Sequence, residues 1–313
     1  MNILIVGLGS IAHKHIDALK RLNVECDIYA LRSTQNRSDE EINIKNIYSL
    51  DEINNLELSF AIISNPTSMH KETILKLLKF NCPLFIEKPL YHKLDIEDIL
   101  IAVNKQNILT YVACNLRFLD SLLFVKNELE QNKRRINEIN VYCGSFLPSW
   151  RKTDYKQSYS TNPDLGGGVH LDLIHEIDYL YWMFGMPTKI QSVFRNVSSL
   201  DIRAYDYANY NLIYDEFCAN VTLNYFRRDY KRTFELLYEN ETWLVDLACN
   251  TISSKGEIIY KSNQSIIDTY TSQMHYFLQL INTNGKTSIN TFNDAYEVLK
   301  ICLNNSKSEQ TNY

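Results

Sequence analysis

No stretch of this 313-residue chain is apolar for long enough to cross a bilayer, which excludes a helical membrane-spanning protein. Metal-ligand spacing is missing too. Cys26, Cys82, Cys114, Cys143, Cys218, Cys249 and Cys302 are far apart, odd in number and mostly set among apolar neighbours. They read as reduced core thiols of a cytosolic protein, with no metal site. Nor is there a dense basic patch. Net charge is −5 and the pI is near 5.8. Lys133-Arg134-Arg135 and Arg227-Arg228 read as solvated faces, so neither nucleic acid nor a membrane is an expected partner. The first strand starts at Ile3, leaving no room for a cleavable signal peptide, and a cytoplasmic location is expected. Internal repeats and low-complexity linkers are lacking, although the last eight residues are polar and prone to fray. What remains is 45% hydrophobic content over a length that suits two domains.

The most informative segment is Gly7-Leu8-Gly9-Ser10-Ile11-Ala12, directly after the apolar run Ile3-Leu4-Ile5-Val6. A buried strand, a tight glycine turn and a helix direct backbone N–H groups at a pyrophosphate. Gly7 permits the turn, Gly9 lets the backbone approach the phosphates, and small Ala12 lets helix and strand pack closely. The helix shows in the spacing of Ile11, Ile16, Ala18, Leu19 and Leu22.

Up to about residue 118 the chain alternates strand and helix. Strands are expected at Ile3–Val6, Asp27–Leu31, Phe60–Ser64, Leu84–Ile86 and Thr110–Cys114, and helices at Ile11–Leu22, Met69–Phe80 and Leu94–Lys105. Strands apolar throughout, separated by amphipathic helices, predict an α/β domain with a doubly wound parallel sheet over residues 1–118. The remainder, 119–313, predicts an α+β domain with a mainly antiparallel, open-faced sheet. A helix near Ser121–Asn132 leads to a strand at Ile139–Tyr142 and a polar loop through Arg151–Pro163. Gly166-Gly167-Gly168 opens a helix predicted over Val169–Phe184. Alternating strands follow to Tyr260, among them Phe217–Asn224, Thr233–Tyr238 and Trp243–Leu247, with helices near Ile266–Asn282 and Asn293–Asn304.

Ligands of such sheets bind beyond the carboxyl ends of the strands. Ser64-Asn65-Pro66 with His70, Glu87-Lys88-Pro89 and Asn115-Leu116-Arg117-Phe118 fall there. An ammonium just past a buried strand can polarise a substrate oxygen or exchange a proton with it, which singles out Lys88. The second domain offers Asp172, His175, Glu176 and Asp178. Asp172 and His175, three apart on one helix, would share a face. An imidazole can take a hydroxyl proton near neutral pH, which hydride transfer from a secondary alcohol requires. His170 reads as structural, and His13 and His15 as surface or supporting groups.

These motifs, in this order, resemble the Gfo/Idh/MocA oxidoreductases over essentially the whole chain. The carriers are the glycine turn, Asn65-Pro66 with His70, Glu87-Lys88-Pro89, Asn115 with Arg117-Phe118, and the glycine-run helix with His175 and Asp178. The resemblance implies a Rossmann domain with an open-faced sheet domain, NAD or NADP as cofactor, and sugars, cyclitols or related polyols as substrates. It implies that Lys88 binds substrate and assists proton transfer, that His175 is the acid/base, and that an aspartate one turn earlier supports it. The family spacing there is four residues, whereas Asp172 precedes His175 by three. Tyr159 stands next in line as the base. Cofactor contacts fall on Gly7, Gly9, Ser10, Ile11, Ala12, Arg32, Ser33, Asn65, Pro66, His70, Glu87, Lys88 and Asn115. Substrate contacts fall on Lys88, Arg117, Trp150, Arg151, Tyr159 and His175. The stretch from Trp150 to Tyr179 looks like members tied to surface-polysaccharide and acidic-sugar biosynthesis, where the sugar can be nucleotide-linked. A homodimer or homotetramer packed through the C-terminal sheet is expected, because strands such as Phe217–Asn224 and Thr233–Tyr238 carry apolar or aromatic residues on alternating sides.

Cofactor choice is set after the second strand, which reads Tyr29-Ala30-Leu31-Arg32-Ser33-Thr34 with no carboxylate before Asp39. Arg32 with Ser33 favours the 2′-phosphate of NADP over the free hydroxyl of NAD. The leading function is an NAD(P)-dependent sugar dehydrogenase or reductase. The alternatives are a redox-neutral epimerase or glycosidase-like enzyme working through tightly held NAD, and a non-catalytic dinucleotide sensor. Retention of Lys88 and His175 opposes the sensor.

Overall fold

A computed structural model of the protein describes residues 1–33, 43–151, 154–283, 285 and 287–304. The chain divides into two compact units, Met1–Asn115 with Ile267–Tyr296, and Leu116–Ile266 with Glu297–Tyr313. Ile267–Tyr296 thus joins the first unit, and Leu116 begins the second.

In the first unit the elements are β1 (Asn2–Val6), α1 (Ser10–Arg21), β2 (Asp27–Leu31), β3 (Ile44–Ile47), β4 (Phe60–Ile63), α2 (His70–Leu77), β5 (Leu84–Glu87), α3 (Glu97–Gln106) and β6 (Thr110–Ala113). The six strands pair in parallel in the order β3-β2-β1-β4-β5-β6, so the strand order reverses between β1 and β4. β1, β4 and β5 are enclosed on both faces, which is why they read as continuous apolar runs. β3 escaped the sequence reading because Ile44-Lys45-Asn46-Ile47 has only two apolar residues. Met69–Phe80 is a shorter α-helix with a 3₁₀ turn at each end, and Asn81 closes it in the left-handed region at φ 47°.

The second unit contains α4 (Asp120–Gln131), β7 (Ile136–Phe146), α5 (Val169–Asp172), α6 (His175–Phe184), β8 (Lys189–Arg195), β9 (Tyr207–Ile213), β10 (Cys218–Asn224), β11 (Phe226–Tyr238), β12 (Thr242–Asp246), β13 (Thr251–Ser254) and β14 (Glu257–Lys261). Their order is β14-β13-β12-β11-β7-β10-β9-β8, antiparallel throughout except where β7 meets β10. The last two helices are α7 (Ile266–Asn282), which belongs to the first unit, and α8 (Phe292–Cys302), which contains the Tyr296/Glu297 boundary. Phe277 of α7 packs at 5.3 Å from both Phe60 and Phe85, in the core of the first unit.

Two expectations are corrected here. The helix over Val169–Phe184 breaks after Asp172. Leu173 adopts ψ 32°, and the N–H groups of Ile174 and Glu176 bond three residues back instead of four. The open face of the second sheet carries a polar row. Leu212, Val221 and Val141 point inward, while Gln191, Asn211, Asn220, Asn140 and Glu235 form one row across five strands on the other side. Alternation therefore puts these three apolar side chains on the covered face and an amide ladder on the open one, where Val193 and Leu244 are also exposed. Of the cysteines, Cys218 and Cys249 are exposed, contrary to their reading as core residues, and all seven are free thiols.

Candidate functional site

The glycine turn sits where the strand order reverses. Gly7 has φ +91°, and a Cβ there would lie 2.5 Å from the Asn65 Cα, so both conformation and close packing demand glycine. The Gly7 carbonyl also accepts the Ser64 hydroxyl at 2.9 Å. Gly9 is different. It caps α1 in extended geometry, and a Cβ built on it meets no atom within 4 Å. No side chain caps the helix and its first turn carries no acid. The Ser10, Ile11 and Ala12 N–H groups at this positive helix end suit a pyrophosphate, and glycine at position 9 keeps the approach clear. The residues present fit a dinucleotide.

Other expected contacts are held by partners within the first unit. Asn65 donates its amide to Thr73 Oγ1 at 2.8 Å, and Pro66 starts the turn into α2. His70 is buried, with Nε2 3.0 Å from the Asn65 carbonyl and Nδ1 3.2 Å from that of Leu90. Burial lowers its pKa against the pull of those carbonyls, and the ring braces the turn from inside. Asn115, also buried, donates to Thr269 Oγ1 at 2.7 Å. Glu87 binds His15 Nε2 at 2.5 Å. His15 is therefore a buried residue and not a surface group. Half-buried Lys88 follows, its N–H donated to Glu87 Oε2 at 3.2 Å.

Beyond β2, the Arg32 N–H is held by the Ile47 carbonyl at 2.9 Å, and Ser33 is exposed. Thr34 and Asp39, on which the cofactor comparison also drew, lie outside the described residues.

In the second unit, Asp172 ends α5 and His175 begins α6, so the face-sharing rule of one continuous helix does not apply to them. Asp172 accepts the hydroxyls of Tyr159 at 3.0 Å and Tyr225 at 2.5 Å. The carboxylate, and secondarily burial, push the Tyr159 pKa up; burial first and then Asp172 do the same to Tyr225. A phenol raised in this way is a poor base, so Tyr159 is a hydrogen-bond donor here. His175 is 9% exposed. Glu176 is bidentate to Arg232 at 2.6 and 3.0 Å, and Asp178 to Arg117 at 2.9 and 2.7 Å. Arg117 is 2% exposed, so the group expected to grip substrate is instead committed to fixing α6. The Trp150 ring meets Tyr225 edge-on at 5.4 Å and donates Nε1 to Ser145, while the exposed Arg151 lies over the Tyr159 ring at 5.1 Å. His170 is buried against Phe194, and burial pushes its pKa down to about 4, in line with a structural role. Sequence reasoning missed Tyr225 and Arg232. Each meets its partner from at least 53 positions away, and no local pattern marks such a pairing.

Comparison with known families settles what this arrangement belongs to. Residues 1–113 match the model of the GFO/IDH/MocA oxidoreductase family with its NAD-binding Rossmann fold, and residues 133–243 match the family's C-terminal domain. The chain belongs to the GFO/IDH/MocA family. An uncharacterized oxidoreductase of Streptococcus pneumoniae serotype 4 is 27% identical over 164 residues, 51% of this chain and 43% of that protein. The 2,7-anhydro-N-acetylneuraminate hydratase of Mediterraneibacter gnavus is 22% identical over 162 residues, 51% of this chain and 41% of that protein. The chain thus matches less than half the length of these two relatives. A levoglucosan dehydrogenase in complex with NADH and levoglucosan shares the fold at TM-score 0.83 and 15% identity, with 96% of this chain and 95% of that one covered.

Proposed function

We propose that this chain is an NAD(P)-dependent oxidoreductase that moves a hydride between the nicotinamide and a hydroxyl-bearing carbon of a sugar or sugar derivative. The observation that carries the reading is the contrast between the two turn glycines: the fold itself requires Gly7, whereas Gly9 faces open space at an uncapped helix end. When bound, the nicotinamide supplies the hydride acceptor or donor. The N–H groups of Ser10, Ile11 and Ala12 bind the pyrophosphate, with Arg32 and Ser33 at the adenosine ribose favouring NADP. His175, whose Nδ1 is buried, takes the substrate hydroxyl proton at Nε2. The Lys88 ammonium holds and polarises a substrate oxygen. Asp172 and Tyr159 order the loop behind His175, and Trp150 and Arg151 select the substrate. Nucleotide-linked sugars of surface-glycan biosynthesis are the first class to screen.

Mass spectrometry of co-purifying small molecules, followed by a sugar screen read by absorbance of the reduced cofactor, tests this reading. Gly9→Val is expected to abolish dinucleotide binding in calorimetry while leaving the melting temperature close to that of the parent. Undiminished binding would refute the cradle.

A redox-neutral reaction is the second reading, favoured by the similarity to a hydratase. Turnover without added nicotinamide would select it. The polar face of the second sheet is assigned to contact with another copy in a homodimer or homotetramer. Its amide row is self-complementary, with Glu138, Asp215 and Glu216 toward one end and Arg227, Arg228 and Lys231 toward the other. Light scattering that gives a monomer at micromolar concentration would count against this.

A further inference from the structure

The first unit holds a buried pair that the reaction above does not use. Glu87, 6% exposed at the end of β5, has one carboxylate oxygen 2.5 Å from His15 Nε2 and the other on the Lys88 N–H at 3.2 Å. His15 is fully buried on α1, edge-on to Phe85 at 4.8 Å and beside Tyr270 at 5.9 Å. Its Nδ1 is buried without a hydrogen-bond partner, so the ring's one hydrogen bond is spent on Glu87. A carboxylate in an apolar core is costly, and a well-packed apolar pair would hold helix to sheet at least as firmly. What an apolar pair lacks is an acceptor for the Lys88 N–H.

We propose that His15 and Glu87 are positioning residues for Lys88. Glu87 fixes the backbone from which the lysine departs, and His15 fixes the carboxylate. Because His15 rides on α1, the helix whose N-terminus forms the dinucleotide cradle is tied to the substrate-gripping lysine. Glu87 is thereby reassigned from a cofactor contact to a support for its neighbour. The inference rests on the reading of Lys88 given above.

His15→Phe keeps a ring and removes the donor, whereas His15→Gln keeps an amide N–H. Each is compared with the parent in NADH affinity, in kcat and KM for the sugar found by screening, and in the rate at which an amine-reactive ester labels Lys88, read by peptide mass spectrometry. The Phe variant should lose about 30- to 100-fold in kcat, the usual effect of a misplaced catalytic group, with NADH affinity nearly unchanged. Its Lys88 labelling rate should shift several-fold, and the Gln variant should recover most of both losses. A lower melting temperature with parental kcat and labelling would make the pair merely structural and overturn the proposal. If the parent turns over no sugar, the reaction reading fails by itself. Labelling then decides alone: a shift reversed by Gln upholds the pair, and an unchanged rate refutes it. Should His15→Phe not fold, Glu87→Gln takes the same measurements.

Discussion

The two units solve one problem, keeping polar chemistry inside a folded core, by different means. In the first, the cofactor cradle is backbone: a left-handed glycine, a second glycine with clear space above it, and helix N–H groups. In the second, the segment that carries Asp172, His175, Glu176 and Asp178 is held by side chains, with two bidentate arginine–carboxylate pairs and a carboxylate shared by two tyrosines. Backbone geometry is written in a few consecutive residues, whereas paired side chains come from distant positions. The first unit is therefore sensitive to the shape of single residues, and the second to the loss of either member of a pair.

The largest effect should come from the histidine of that segment. His175→Ala should lower kcat by about 10²–10⁴-fold while leaving NADH affinity near the parental value, since the cradle lies in the first unit. Near-parental turnover would move the base elsewhere.

Breaking a pair should come next. Glu176→Gln leaves Arg232 buried without its counter-charge and should cost about 3–5 kcal/mol in urea unfolding. Replacing both with apolar residues of similar volume should restore most of that loss. If the single and double variants are equally unstable, pairing is not what holds α6.

Acid offers a third route. Burial sets the His170 pKa at about 4, against an ordinary 6.5. The unfolded chain thus takes up a proton near pH 6.5 that the folded ring refuses until about 4. This contribution is complete above pH 6.5, shrinks as the pH falls, and is lost by about pH 4, on the order of 3 kcal/mol in all. The first unit has its own case in His70, whose pKa is also lowered by burial. His170→Phe should flatten the acid slope seen by calorimetry, and an unchanged slope would shift the effect to His70.

Smallest is the cofactor preference. If Arg32 meets a 2′-phosphate, Arg32→Ala should weaken NADP binding by about 1.5–3 kcal/mol and NAD binding much less. Equal losses would remove NADP from the assignment.

The same contrast explains how far the sequence could be read. β1, β4, β5 and β6 fall within a residue or so of their expected limits, because enclosed strands are apolar runs. The turn built on Gly7 and Gly9 is legible for the same reason. Arg117 was not, because its sequence neighbours give no hint that Asp178, 61 positions on, would occupy its guanidinium. Nor could the spacing of Asp172 and His175 disclose that Tyr159 and Tyr225 claim the aspartate and that the helix breaks just beyond it. A period of two separates the faces of the second sheet without saying which one is covered.

The return of Ile267–Tyr296 to the first unit bears on how the protein is made. Phe277 lies against Phe60 and Phe85, and Phe292 donates its N–H to Thr110 Oγ1, so the core of the first unit includes a segment, Ile267–Tyr296, that follows residues 116–266 of the second. As the ribosome releases the N-terminal strands, that core has no lid of its own until nearly all of the second unit has emerged. Domain-by-domain folding during synthesis, the usual course for a two-unit chain, is closed to the first unit here. A fragment ending at Asn115 would leave Phe60, Phe85 and Tyr111 facing water and should aggregate, whereas the second unit could close its sheet first.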